Sequence, residues 1–244
     1  MKIKKEHTIG FFDVDHNCRL TVQAGARLFQ EMATMHSASV GAGYERLSKM
    51  GRAWFLHCLQ IEFVSYPVWK DRICVVTWSR GFKGFKGFRE YEIRSADGEL
   101  MVMGSSVWLF YDVNRHRIAK VPKEISACYE FDEDKNFADD PDKWEDCGQI
   151  CIDRHISISL RYSDFDMNGH VNNTVYPGFL EHLYHDALGP DALPVKRVRL
   201  RFLRQIDPGR HYIEAGWQKK ADRYECLIRD NETVFAQGEL VPFT

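Results

Sequence analysis

A short acidic string occurs twice in this chain. Phe12-Asp13-Val14-Asp15-His16-Asn17 returns as Ser163-Asp164-Phe165-Asp166-Met167-Asn168, and each copy leads into a stretch of helical character. Such a repeat constrains the fold more than composition does, because two copies of one supersecondary unit must bury equivalent faces. After the first copy, Val22, Ala26, Phe29 and Ala33 fall at three- and four-residue steps, the spacing of an amphipathic helix, and Gly41 and Gly43 supply its stop. The second helix reaches Gly189-Pro190 in the same way.

Strand patterns follow in both halves. Leu59-Gln60-Ile61-Glu62-Phe63 and Arg197-Val198-Arg199-Leu200-Arg201-Phe202 alternate apolar with polar, as strands with one buried face do, and each runs into a turn with a proline, Pro67 or Pro208. Further strands are expected at 73–78, 88–94 and 101–111, and at 212–217, 224–229 and 234–241, with hairpin turns at Asp97-Gly98 and Asp230-Asn231. Residues 132–146 are rich in Asp and Glu around Pro141, the composition of a solvated connector. The expected organisation is a first unit over 1–130, an acidic linker over 131–148 and a second unit over 149–244. One long helix followed by antiparallel strands, twice, is an α+β architecture in which each sheet wraps its own helix. Two such sheets can satisfy each other's edges, so the expected state is a monomeric pseudo-dimer or a homodimer of the whole chain.

Composition then excludes classes. At 244 residues with 44% hydrophobic content the chain fills a core, and a net charge of -2 gives no bulk reason to expect nucleic acid or an acidic membrane as partner. The opening MKIKKEHTIG has lysines without an apolar run, so no secretory signal is expected. The uncharged run 100–111 is far short of the roughly 18 residues that a membrane helix needs. Seven cysteines without a Cys-x-x-Cys pair suit a reducing, cytoplasmic setting.

Chemistry concentrates in residues 164–173. Asp164, Asp166, His170, Asn168, Asn172 and Asn173 crowd into ten residues just before a helix, and Asn172, Asn173 or Thr174 is placed to cap it, with Pro177 in its first turn. Hydrolysis of a thioester needs a base for water and donors for the oxyanion, and a carboxylate with an imidazole beside a helix start supplies both. The same residues also make an ordinary polar turn. A calcium loop fails, because the twelfth position holds Val175, and Ala24 in the first copy, instead of Glu. Glu181, His182 and His185 lack further ligands for a metal, and none is expected.

At this point the chain resembles the plant-type and bacterial acyl-ACP thioesterases. Arg161 to Tyr176 looks like that family's catalytic signature; Tyr66-Pro67-Val68-Trp69-Lys70-Asp71, Ser105-Ser106-Val107-Trp108 and Arg117-Ile118-Ala119-Lys120-Val121-Pro122 look like its landmarks, in the same order. The resemblance implies a double hotdog fold, no cofactor, and an acyl carrier protein as partner. It assigns catalytic roles to Asp166, Asn168 and His170: the first to orient and activate, the second to position substrate or water, the third to polarise water. Where the family carries a further acidic residue, followed in plant members by cysteine, this chain has Gln205-Ile206. Gln binds water or a carbonyl but takes no proton at neutral pH, so the base passes to Asp166 with His170, with Asp207 or Glu181 as substitutes.

In the first copy Arg19 stands where the second has His170, so that copy reads as scaffold. The resemblance gives this half most of the acyl tunnel, with Phe29, Met32, Trp54 and Phe63 as lining candidates beside plain core; Gln205 and Glu181 are the other substrate-binding candidates. Gly81-Phe82-Lys83-Gly84-Phe85-Lys86-Gly87-Phe88-Arg89 reads either as a basic loop that docks acidic carrier protein through Lys83, Lys86 and Arg89, or as a hairpin with solvated lysines. Three functions stand: acyl-ACP hydrolysis, acyl-CoA hydrolysis, and non-catalytic acyl binding motivated by Gln205.

Overall fold

The computed structural model describes residues 1–143, 150–231 and 233–244. It divides into two compact units, Met1–Lys143 and Trp144–Thr244. The first contains β1 (Lys2–Thr8), α1 (Val22–Ser39), α2 (Tyr44–Lys49), β2 (Arg52–Phe63), β3 (Arg72–Lys83), β4 (Lys86–Ser95), β5 (Leu100–Asp112), the two-residue β6 (Arg117–Ile118) and α3 (Lys123–Ser126). Its strands run in the antiparallel order β1-β3-β4-β5-β2, with β6 on β5. The second contains β7 (Arg154–Ser159), α4 (Val175–Leu188), β8 (Val195–Phe202), β9 (Tyr212–Lys220), β10 (Arg223–Asp230) and β11 (Thr233–Pro242). Its order, β7-β9-β10-β11-β8, is the same order again.

Each long helix buries one face on its own sheet. Along α1 that face is Val22, Ala26, Phe29, Met32, Ala33 and His36; along α4 it includes Tyr176, Phe179, Leu180, Leu183 and Tyr184. Close approach of helix to sheet depends on one glycine in each unit. A Cβ at Gly104 of β5 would stand 2.4 Å from the Phe29 ring, and one at Gly238 of β11 would stand 2.7 Å from Leu180. Absence of a side chain at these two strand positions lets the helix settle on the sheet.

Some boundaries differ from the sequence expectations. The edge strands escape a hydrophobic pattern, β1 because it is rich in charged residues and β7 because it is short, with two isoleucines as its apolar residues. Of the two readings of residues 81–89 the structure has the hairpin: they form the β3–β4 turn, with Lys83 paired with Lys86 around Gly84, whose φ is +64°. The acidic stretch up to Lys143 belongs to the first unit: Asn136 Nδ2 donates to the Tyr91 and Gly104 carbonyls, Trp78 Nε1 donates to the Asp134 carbonyl, and Arg80 pairs with Asp140. The rest of the expected linker, 144–148, lies outside the described residues.

Candidate active site

Between β7 and α4 the chain makes a 3-10 turn, Tyr162–Asp164, followed by a tight loop. Asp164 is 2% exposed and holds that turn, accepting from the Arg161 backbone N–H at 2.8 Å and from its guanidinium at 2.9 Å. Its carboxylate is thereby spent on structure. In the loop, Asp166 N–H donates to the His170 carbonyl at 2.9 Å, and Asp166 Oδ1 accepts from the Asn168 N–H at 2.8 Å. Gly169 closes the loop with φ +73°, a conformation that favours glycine.

The first unit builds the same loop from its own residues. Asp15 N–H donates to the Arg19 carbonyl at 2.8 Å, Asp15 Oδ1 accepts from Asn17 N–H at 2.8 Å, and Cys18 takes φ +60° in the place of Gly169. Backbone geometry has been retained while the imidazole position is occupied by Arg19. The two loops therefore share a backbone and differ in their side chains.

His170 is positioned from two directions. Val171 N–H donates to the Ile206 carbonyl at 3.1 Å, which draws the loop after β8 alongside and sets Asp207 next to the imidazole. His170 Nε2 lies 3.5 Å from Asp207 Oδ1, an ion-pair approach longer than a closed hydrogen bond. His170 Nδ1 is buried and has no hydrogen-bond partner among the described residues. An acceptor at Nε2 places the proton there and leaves the lone pair on the buried Nδ1.

Beneath this loop lies Tyr176, 2% exposed, with its ring edge-on to Phe202. Burial, and then the charges of Asp166 and Asp207, push its phenol well above the ordinary range, so it stays a neutral O–H donor. No hydrogen bond to that hydroxyl is made among the described residues. Asn172 starts the helix, its Oδ1 accepting from Thr174 N–H at 2.9 Å and Oγ1 at 2.8 Å, while its carbonyl accepts from Val175 N–H. Two helix-start amides expected to face an oxyanion are thus committed to Asn172, and Pro177 has none to give.

Asn168 is exposed in the loop, and Gln205 is exposed beside Ile206. Glu181 is half-buried on α4. Asp207 is the carboxylate that meets the imidazole, and no spacing in the sequence could show this, because the Val171–Ile206 bond joins segments 35 positions apart. The Tyr176 role is likewise visible only once α4 packs under the loop.

The remaining candidates lie in the first unit. Phe29 is 1% exposed and stacks on Tyr91 at 4.7 Å, and Trp54 is half-buried between Phe82 and Phe110. Arg89 corrects an expectation: it points inward and is 7% exposed, so its guanidinium offers no surface to a carrier protein. Lys86 is ion-paired with Asp142 at 2.6 Å, whereas Lys83 is exposed and makes no ion pair among the described residues.

A long helix laid on an antiparallel sheet, built twice in tandem, with an Asp-x-Asn-x-His loop leading into the second helix, defines a tandem hotdog protein. Residues 1–129 match the acyl-ACP thioesterase N-terminal domain and residues 152–239 match the C-terminal domain, so the chain belongs to the acyl-ACP thioesterase family. It is similar to the chloroplastic oleoyl-acyl carrier protein thioesterase 1 of Arabidopsis thaliana, 26% identical over 199 residues, which cover 74% of this chain and 54% of that protein. The chain spans about half the length of the curated relatives it matches. Its fold is that of an acyl-ACP thioesterase from Bacteroides thetaiotaomicron, with TM-score 0.83, 20% identity and coverage of 98% and 97% of the two chains. The 12:0-ACP thioesterase from Umbellularia californica shares it too, with TM-score 0.84, 18% identity and coverage of 99% and 98%.

Proposed function

We propose that this chain hydrolyses fatty acyl thioesters carried on acyl carrier protein, releasing free fatty acid and the carrier thiol. The observation that carries the reading is the His170 imidazole, with one nitrogen facing Asp207 and the other buried and unpartnered. The His170 imidazole takes a proton from water as the oxygen bonds to the thioester carbon. The carbonyl electrons move onto oxygen, and Tyr176 O–H donates to that oxyanion. On collapse the C–S bond breaks, its electron pair leaves on sulfur, and the imidazolium returns the proton to the thiolate. Asp207 holds the imidazolium, while Asp166 fixes the loop and Asn168 sits at its exposed tip to meet substrate or water.

Acyl carrier protein as the carrier is supported by the family and by the names of its relatives, and exposed Lys83 remains a candidate contact for its acidic surface. Among the described residues no helix is long and apolar enough to cross a membrane, and the described cysteines are free thiols, which supports a reducing, cytoplasmic setting. Thiol release from matched acyl-ACP and acyl-CoA panels tests the reading, with wild type beside His170→Ala and Asp166→Ala. The expected result is faster turnover of the ACP series, reduced about 100-fold or more by His170→Ala. Preference for CoA would move the protein to the rival carrier, and acyl binding without turnover would leave a non-catalytic acyl-binding protein.

A further inference from the structure

The two copies of the repeated loop correspond position by position. Leu20 N–H donates to the Pro67 carbonyl at 2.8 Å, as Val171 N–H donates to the Ile206 carbonyl at 3.1 Å. Val68, Trp69 and Lys70 of the first unit therefore stand where the second has Asp207, Pro208 and Gly209, and Phe11 and Phe12 stand where it has Tyr162 and Ser163. In place of the imidazole and its carboxylate, the first loop carries aromatic rings that face water. Phe12 is 92% exposed, Phe11 70% and Trp69 41%. They make one cluster, with Phe11 edge-on to Phe12 at 5.7 Å and to Trp69 at 6.2 Å between ring centroids.

The backbone holds these rings outward. Besides the Leu20–Pro67 bond, Trp69 N–H donates to the Cys18 carbonyl, Lys70 N–H to the Ile9 carbonyl and Ile9 N–H to the Asp71 carbonyl, each at 3.0 Å. Four main-chain bonds thus lace the Phe11–Phe12 turn to the Trp69 turn, and a double turn so tied cannot fold its rings back onto the core. A cluster of exposed rings costs hydration free energy and marks a contact surface. Its carboxylates, by contrast, are turned inward: Asp13 Oδ2 accepts from Gly10 N–H, Asp15 Oδ1 from Asn17 and Arg19 N–H, and Asp71 Oδ2 from Val68 N–H. The charge left beside the rings is Lys70, whose Nζ lies 4.1 Å from the Trp69 ring centroid.

We propose that this double turn of the first unit docks on a lipid bilayer surface, with Phe11, Phe12 and Trp69 entering the boundary between headgroups and acyl chains and Lys70 meeting anionic headgroups. Shape favours lipid over protein. A ring as exposed as Phe12 stands proud of the surface, so a protein partner would need a matching pocket, whereas the bilayer boundary admits a convex apolar shape without one. Chemistry favours it too, because aromatic rings beside a lysine are the side chains that settle at a membrane–water interface. The contact is peripheral and does not rest on the hydrolase reading.

Co-sedimentation of the full chain with phosphatidylcholine vesicles that contain phosphatidylglycerol tests the surface. Wild type is compared with the double variant Phe11→Ser, Phe12→Ser and with Lys70→Gln. Wild type is expected to pellet with the vesicles, and the double variant to need about tenfold more lipid for the same bound fraction. Lys70→Gln should weaken binding to these vesicles and leave binding to pure phosphatidylcholine unchanged. Both variants should keep the wild-type melting temperature and thiol release in vesicle-free solution, because these side chains lie outside the core and outside the His170 loop. A readout independent of those variants is quenching by brominated phosphatidylcholine, which should dim wild-type tryptophan emission more than that of Trp69→Phe. Equal partitioning of wild type and the double variant, or equal quenching of wild type and Trp69→Phe, overturns the proposal. So does self-association without vesicle binding that the double variant abolishes, which would give the rings to a second copy of the chain. A KM for acyl-ACP raised by the double variant, again without vesicle binding, overturns it in favour of the carrier protein. Absence of hydrolysis would sink the hydrolase reading and leave the vesicle result standing.

Discussion

Tyr176 shows what a single side chain adds that its neighbours in sequence do not reveal. Its hydroxyl is unpartnered among the described residues and is kept protonated by burial and then by the charges of Asp166 and Asp207. Because no hydrogen bond is lost when the hydroxyl is removed, Tyr176→Phe should leave the melting temperature close to wild type. If the hydroxyl donates to the oxyanion, the same change lowers kcat about 10- to 100-fold with little change in KM, the signature of a contact made in the transition state. An unchanged kcat would assign the oxyanion to other donors. At this scale the sequence was half legible. Residue density marked the 164–173 loop, and the resemblance picked out Asp166, Asn168 and His170 and offered Asp207 as a substitute, but the approach of Asp207 to the imidazole depends on how the loop after β8 folds back, and the inward turn of Arg89 on which face of β4 it occupies.

Helices and strands were the most legible level, because α1 and the central strands carry clean periodicities of 3.6 and 2 and end on glycine or hairpin turns. What periodicity could not supply was the edge of each sheet, since β1 is lysine-rich and β7 is short and half-exposed. The start of α4 was narrowed to three capping candidates; Thr174 stands at the N-cap position without a capping bond of its own, and the Asn172 side chain takes both Thr174 donors. Asn172→Ala removes that cap and should lower unfolding stability by about 1 kcal/mol, read as a lower urea midpoint at constant m-value. The active-site loop leads directly into this helix, so turnover should fall with it. A midpoint equal to wild type would mean that the Asn172 carbonyl bond to Val175 N–H is sufficient to start the helix.

Across the whole molecule, the division between the two units, after Lys143, falls inside the acidic stretch that composition marked, and the stretch does more than connect. Its carboxylates are numerous because they neutralise cations of the first sheet: Asp134 pairs with Lys2, Asp140 with Arg80 and Asp142 with Lys86. Glu90 shares Arg80 and also accepts from Ser105 at 2.9 Å; burial nevertheless raises it from 4.5 to about 6. His36, whose Nδ1 accepts from Arg89 Nη1 at 2.9 Å, moves the other way and further, from 6.5 to about 4. A lowered histidine contributes stability above 6.5 that is lost as pH falls toward 4. A raised carboxyl contributes stability below 4.5 that is lost as pH rises through 6. Acidification from pH 7 to pH 5 therefore sets a His36 loss against a smaller Glu90 gain, at up to about 1.4 kcal/mol per pH unit for each group. His36→Gln keeps an acceptor for Arg89 but removes the titration, leaving the Glu90 gain uncovered. Relative to wild type, urea unfolding of this variant should improve on going from pH 7 to pH 5 by roughly 1 to 2 kcal/mol. Parallel pH dependence in the two proteins would show that His36 takes up its proton in the folded state as readily as in the unfolded one, and that the ring is not held neutral beside Arg89.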